Sequence, residues 1–306
     1  MKRVSIFLLI GLFFIAGLNA QIRYAILPDS PRPGDPITVA LSTPAEEALL
    51  LVSGKQVAKA AFFYVDDTSG IPCYFAAILA VPSTAASGAA VIRLNNDKGV
   101  LMEIPFRIAP RDFHSETLRL DPALTTLVTT SNEQTRAESA RLWQILNTTG
   151  NQVYHEGQFV LPISTTRRTS RFGTRRVNQY SDGRRVTSIH AGVDFGAPKG
   201  TEVYACGRGR VILARARIIS GNSIIIEHGP GIYSIYYHLD TITAQEDSIV
   251  EAGEIIGLVG STGFSTGPHL HWELRISTEN TDPDIYVDRP LLDKTLITSK
   301  IFNIRR

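Results

Sequence analysis

Cysteine is almost missing from this sequence: 306 residues carry two, Cys73 and Cys206, too few for a scaffold built on disulfides. They fall in segments of different texture, so sequence alone leaves open whether they stay free or bridge two domains. Excess charge of either sign is also lacking, with 31 Lys plus Arg against 29 Asp plus Glu, and this excludes a globally nucleic-acid-attracting surface. Wholesale disorder is excluded by 43% apolar and 20% charged residues. From Gln21 onward no run is long and apolar enough to span a bilayer core of about 30 Å. What remains is enough chain for two domains of ordinary size, each with its own core.

The first residues, Met1, Lys2 and Arg3, lead into VSIFLLIGLFFIAGL at 4–18 and then small Ala20. A basic start, an apolar stretch and a small-residue site predict a secretory signal peptide at 1–20. A transmembrane anchor is the competing reading, for which fifteen residues are short. No cysteine follows the apolar stretch, which argues against a lipoprotein. Cleavage removes Lys2 and Arg3 and leaves a formally neutral exported chain, placed in the periplasm or cell envelope without a stable transmembrane anchor.

Residues 21–110 alternate short β-type runs with punctuation: ITVAL at 37–41, AFFYV at 61–65, YFAAILAV at 74–81, AVIRL at 90–94 and MEIPFRI at 102–108. Strands at this spacing predict an immunoglobulin-like sandwich with little chemistry of its own. A connector follows at 111–157, polar at first. Ser131 and Gln134 suggest a capping box for a helix over about 131–147, with Trp143 packed inward. From 158 to 306 the texture is Gly-punctuated strand, with thirteen of the 24 glycines between His190 and His271, which predicts tight turns in an antiparallel sheet. The fold class expected is all-β apart from that connector helix, with a C-terminal tail that completes the fold.

Five of the seven histidines lie in this last part: His190, His228, His238, His269 and His271. HAGVD separates His190 from Asp194 by four, and HLH separates His269 from His271 by two. On an extended strand both spacings return side chains to one face, and Gly192 clears that face. Imidazole and carboxylate suit zinc, whose catalytic sites take three protein ligands and keep an open fourth position. The histidines exceed that need, and the surplus supplies what hydrolysis requires, a base for water and a donor for a developing oxyanion.

These motifs resemble the lysostaphin-type zinc endopeptidases (LytM-like, peptidase family M23), which cut the peptide part of bacterial peptidoglycan. The matching text is HAGVDFGAPKGTEVYA at 190–205, GNSIIIEHGPGIYSIYYHL at 221–239 and EAGEIIGLVGSTGFSTGPHLHWEL at 251–274, with RRTSRFGTRR at 167–176 upstream. The resemblance covers about 158–276 and implies a Zn2+ metallopeptidase domain in an antiparallel β-sheet. It implies His190, Asp194 and His271 as metal ligands and His238 and His269 as catalytic non-ligands. His269 is favoured to orient or deprotonate water and His238 to hydrogen-bond the tetrahedral intermediate, with the two roles left open to exchange. The implied partners are peptidoglycan stem peptides or cross-bridges, with a regulatory protein as a further expected partner and no nucleic acid. The rival class is a non-catalytic wall-binding or amidase-activating protein, which needs neither the surplus histidines nor an open metal position.

His228, before Gly229 at an expected hairpin, reads as structural. Tyr236, two residues before His238, is expected either to line the cleft or to pack in the core, and Tyr204 likewise. STGFSTGPH at 261–269 reads as a turn that delivers the HLH strand. Seven arginines at 167, 168, 171, 175, 176, 184 and 185 crowd a stretch with one acid, Asp182; contact with anionic wall polymer or surface solvation is the expectation. The long connector also suggests autoinhibition.

Overall fold

The computed structural model describes residues 22–66, 73–130, 132–290 and 292–302. The expected signal peptide at 1–20 and the expected cap Ser131 lie outside them. The fold is β-rich, with N-terminal sheets, a short helical region and a C-terminal β-sheet domain.

Among the described residues the N-terminal part has eight strands: β1 (Tyr24–Leu27), β2 (Pro36–Leu41), β3 (Glu47–Val52), β4 (Lys55–Ala61), β5 (Phe63–Val65), β6 (Tyr74–Ala80), β7 (Gly88–Asn96) and β8 (Gly99–Ile108). They form two four-stranded sheets, ordered β1-β2-β6-β5 and β4-β3-β7-β8. Ile37, Val39, Leu41, Leu50, Leu79, Ile92 and Leu94 fill one core with side chains from both. AFFYV, expected as one strand, instead crosses between the sheets: β4 ends at Ala61, Phe62 N–H reaches the Glu46 carbonyl at 2.9 Å, and β5 starts in the other sheet. The near-continuous apolar text of β2 and β6 has a physical cause. Ala40, Ala76, Ile78 and Ala80 share a second core with Leu274, Ile276, Tyr286 and Ile297 of the C-terminal part, so these strands are covered on both faces. Arg111 pairs across the same junction with Asp282 and with Asp35.

The connector holds more structure than its polar text suggests. β9 (Ser115–Arg119) is followed by α1 (Pro122–Thr129), where Asp121 caps the Leu124 N–H at 2.8 Å and Pro122 takes the first turn. α2 (Glu133–Asn147) is capped by Asn132, whose side-chain oxygen accepts from Thr135 N–H at 2.8 Å. Leu142, Ile145 and Leu146 form its sheet-facing stripe against Leu213, Ile225 and Ile235. Trp143, expected in the core, falls off the edge of that stripe and is 53% exposed.

The C-terminal part comprises β10 (Arg168–Ser170), β11 (Arg175–Gln179), β12 (Arg185–Ile189), β13 (Val193–Gly196), β14 (Glu202–Tyr204), β15 (Gly209–Arg217), β16 (Gly221–Gly229), β17 (Ile232–Ile242), β18 (Ile249–Val250), β19 (Ile255–Val259), β20 (His269–Ile276) and β21 (Glu279–Thr281). The main sheet runs β10-β13-β20-β17-β16-β15-β18, with β14, β19 and β21 attached to it. Trp272, Tyr236 and Phe195 are fully buried beneath it. Helices α3 (Asp284–Asp288) and α4 (Lys294–Phe302) form the tail, and α4 packs on β1 and β2. β12, β11 and β9 make a separate three-stranded sheet in which β9, from the connector, runs parallel to β11. Both cysteines are free, Cys73 exposed and Cys206 buried. No helix among the described residues is long and apolar enough to cross a membrane.

Candidate metal centre and cleft

His190 does not sit on a strand with Asp194. It lies in the joint between β12 and β13, and the chain turns at Gly192, so the four-residue spacing is met by a bend. Gly192 is required by a close approach: a Cβ there would stand 2.1 Å from the Trp272 carbonyl oxygen. Asp194 on β13 is the register partner of His271 on β20, and the HLH alternation on β20 turns His269 and His271 to the same side. The result is a tight triangle. His271 Nδ1 lies 2.7 Å from Asp194 Oδ1, His190 Nε2 lies 3.0 Å from the same oxygen, and the two nitrogens are 3.1 Å apart. Ligand atoms around tetrahedral zinc, with bonds of about 2.0–2.1 Å, stand about 3.3 Å apart.

The outward nitrogens fix what the inward ones offer. His190 Nδ1 donates to the Arg171 carbonyl at 2.9 Å, and His271 Nε2 donates to Glu273 Oε1 at 3.0 Å. Each ring therefore turns a lone pair to the centre, where the Asp194 carboxylate is also an acceptor. Three acceptors that converge in a buried site require a cation between them, and two nitrogens with one oxygen suit zinc. In the metal-free chain a proton answers the same demand. Burial opposes it, but hydrogen bonds to Asp194 and Glu273 push His271 up to about 9. Burial also opposes ionisation of Asp194, yet the contacts to His190 and His271 hold its carboxyl well below the usual range. Burial lowers His190, against the pull of Asp194.

His238 and His269 stand beside this triangle with ring centroids 4.8 Å apart. His238 Nδ1 donates to the Thr262 carbonyl and His269 Nδ1 to the Gly267 carbonyl, both at 2.8 Å. His269 Nε2 reaches within 3.8 Å of Asp194 Oδ1. His238 occupies left-handed backbone at φ 64° where the β16–β17 register shifts, an uncommon conformation for a side-chain-bearing residue and one found at functional sites. Gly221, also at positive φ, lets β16 back onto Thr262, to which a Cβ would come within 2.3 Å. Burial pushes the His238 imidazole down to about 3, with His269 and His271 adding to the effect.

The register shift also decides which tyrosine meets the cleft. Strict alternation pairs Tyr236 with His238, but Tyr236 is fully buried and its hydroxyl accepts from Cys206 N–H and Ser234. Tyr237 lines the cleft instead and stacks on His271 at 5.5 Å with an interplanar angle of 7°. Tyr204 donates to Glu202 outside the cleft. His228 is structural: it is buried, bonded to the Arg208 carbonyl and to Ser234, and its ring lies tilted against Phe159 at 4.8 Å. The cleft holds about 670 Å³ and is lined by the 264–269 turn and by Glu116, Leu118, Arg167 and Ile189 among others.

Several site residues were missed by the sequence reading. Glu273 is two residues beyond His271 and so on the same strand face; Arg275 and Asn280 hold its other oxygen at 2.8 and 3.0 Å. Burial opposes its ionisation, but Arg275 and His271 keep it charged. The arginine cluster divides by tertiary partner: Arg168 binds Asp284, Arg175 the Ser83 carbonyl, and Arg176 Asp194 and Glu116. Only Arg167 and Arg176 of the seven line the cleft.

Residues 188–283 match the family model of peptidase family M23. The chain is similar to the DD-carboxypeptidase/endopeptidase Mpg of Neisseria meningitidis serogroup B, 38% identical over 135 residues, covering 44% of this chain and 30% of that protein. It is also similar to the peptidoglycan DD-endopeptidase ShyA of Vibrio cholerae serotype O1, 41% identical over 111 residues, covering 36% of this chain and 25% of the relative. The chain thus spans under a third of the length of these relatives. A crystal structure of a peptidase M23 from Pseudomonas aeruginosa shares the fold over 84% of this chain and 94% of its own, at 22% identity and a TM-score of 0.61.

Proposed function

We propose, from the match of residues 188–283 to the model of peptidase family M23, that this chain is a zinc-dependent endopeptidase acting on peptide cross-links of peptidoglycan. The observation that carries the reading is the convergence of three buried acceptors, His190 Nε2, Asp194 Oδ1 and His271 Nδ1, beside two further imidazoles in an open cleft. Those three residues would hold the metal, and bound zinc supplies Lewis acidity that polarises a carbonyl and makes water more acidic.

The chain's own groups handle the protons. His238 and His269 each commit Nδ1–H to a carbonyl, so a neutral ring offers a lone pair at Nε2. Those lone pairs fit these rings to take a proton from the attacking water and return it to the amine as the C–N bond breaks. A ring that has taken up that proton is a donor at Nε2 and hydrogen-bonds the carbonyl oxygen as charge develops there. Tyr237 packs on His271 and fixes its plane. The N-terminal sheets serve as an immunoglobulin-like support docked on the catalytic part, and the expected leader places the protein in the periplasm or cell envelope.

The test is mass spectrometry of fragments released from purified peptidoglycan by the zinc-loaded protein, beside His271→Ala and His238→Ala. New peptide termini that need zinc and vanish in both variants support the reading and identify the bond. Intact cross-links throughout would favour a wall-binding role.

A further inference from the structure

Asp194 offers only one oxygen to the metal triangle. Its Oδ1 faces His190 and His271, while Oδ2 accepts from Arg176 Nη2 at 2.9 Å. The same guanidinium donates from Nε to Glu116 Oε1 at 2.6 Å, and Ser170 donates to that oxygen at 3.1 Å. Glu116 belongs to β9 of the connector and is the register partner of Arg176 on β11. The two side chains are 31% and 17% exposed. One planar fork therefore spans two carboxylates, one from the connector and one from the metal triangle, a fixed spacing of donor nitrogens that the single ammonium of lysine does not provide.

We propose that Glu116 and Arg176 are positioning residues for the metal site: Glu116 on the connector strand holds Arg176, and Arg176 holds Asp194 with a single oxygen turned to the metal. The proposal rests on the zinc reading above. Two effects of Arg176 oppose one another. Its positive charge repels a nearby metal cation, whereas its hydrogen bond pre-orients the ligand. Glu116 cancels the first effect and preserves the second. The connector strand is then a working part of the metal site and not a plug over it.

The charge argument selects the variants. Glu116→Gln leaves an uncompensated cation beside Asp194 and loosens the fork, so both consequences weaken metal binding. Combining Glu116→Gln with Arg176→Met removes one charge of each sign, leaves the net charge unaltered and isolates orientation. The full-length proteins are titrated with zinc against a chromogenic chelator, and their cobalt(II) absorption spectra and metal-free melting curves are recorded. Loss of a group that orients a metal ligand costs about 10–100-fold in affinity, and that loss is expected in both variants. A changed cobalt(II) spectrum with an unchanged metal-free melt is expected alongside. Unchanged affinity and spectrum in Glu116→Gln overturn the proposal, even where the double variant fails to fold. Weakening in Glu116→Gln that the double variant reverses also overturns it, because charge alone then accounts for the effect. Zinc affinities weakened in both variants, in a protein whose wild type leaves peptidoglycan intact, refute the peptidase reading and keep this one. A wild-type chain that binds no zinc refutes both.

Discussion

His238 is a side-chain-bearing residue in left-handed backbone, at φ 64°, and this separates its cost to stability from its use in the cleft. An L-residue in that region costs roughly 1–2 kcal/mol that glycine avoids. Glycine gives back roughly 0.4–1 kcal/mol through its freer unfolded chain. His238→Gly is therefore expected to be more stable than His238→Ala by about 0.5–1 kcal/mol. Both variants lose the same imidazole and its bond to the Thr262 carbonyl, and both keep the backbone N–H bonded to the Ser220 carbonyl, so the comparison isolates the backbone. Urea unfolding of the two metal-free variants measures it, and loss of at least about 100-fold in hydrolysis is expected in both from removal of a proton-transfer group. If His238→Ala is the more stable by the roughly 0.4–1 kcal/mol that glycine's freer unfolded chain alone costs, the left-handed conformation carries no strain and the reasoning fails.

Glu273→Gln should weaken zinc binding by about 10–100-fold, because His271 loses the carboxylate that sets its donor nitrogen; it should also lower stability by leaving Arg275 under-paired, and chelator competition with urea melts reads both. His228 is held down to about 3 by burial, below its unfolded value of about 6.5. Between those values the unfolded chain binds the proton and the folded chain does not, so His228 makes stability rise with pH by up to about 1.4 kcal/mol per unit and withdraws that stability on acidification. Urea melts across pH 4 to 6 should show a shallower slope in His228→Gln, and identical slopes would contradict the assignment. A fragment beginning at Gln158 lacks Glu116 and uncovers the apolar surface shared with β2 and β6; it is expected to bind zinc more weakly and to hydrolyse wall material more slowly than the full chain. Faster hydrolysis by the fragment would restore the expectation of an inhibitory connector.

The HAGVD and HLH pairs were legible because each spacing is local, and the stretches that resemble the peptidase motifs keep their order along 167–274; the pairing of β13 with β20 that closes the triangle is not local. The run at 90–94 marked a strand because burial of one face leaves a two-residue period, and those at 37–41 and 74–81 because cover on both faces leaves a short continuous apolar run. Contacts made across the chain left no such trace. Glu116 meets Arg176 through a parallel pairing over sixty residues of sequence, and nothing in polar text announces a strand whose partner lies elsewhere. AFFYV looked like one strand because hydrophobicity does not record which sheet covers it. The exchange of Tyr236 for Tyr237 at the cleft came from a register shift, which breaks the alternation from which side-chain direction is read. Composition and spacing thus determined the chemistry available to this protein, the ligand types and the surplus imidazoles. Tertiary structure decided which nitrogen of each ring faces inward, which oxygen of Asp194 is free and which arginine holds the other, because those choices depend on partners that pairing and packing bring from distant parts of the chain.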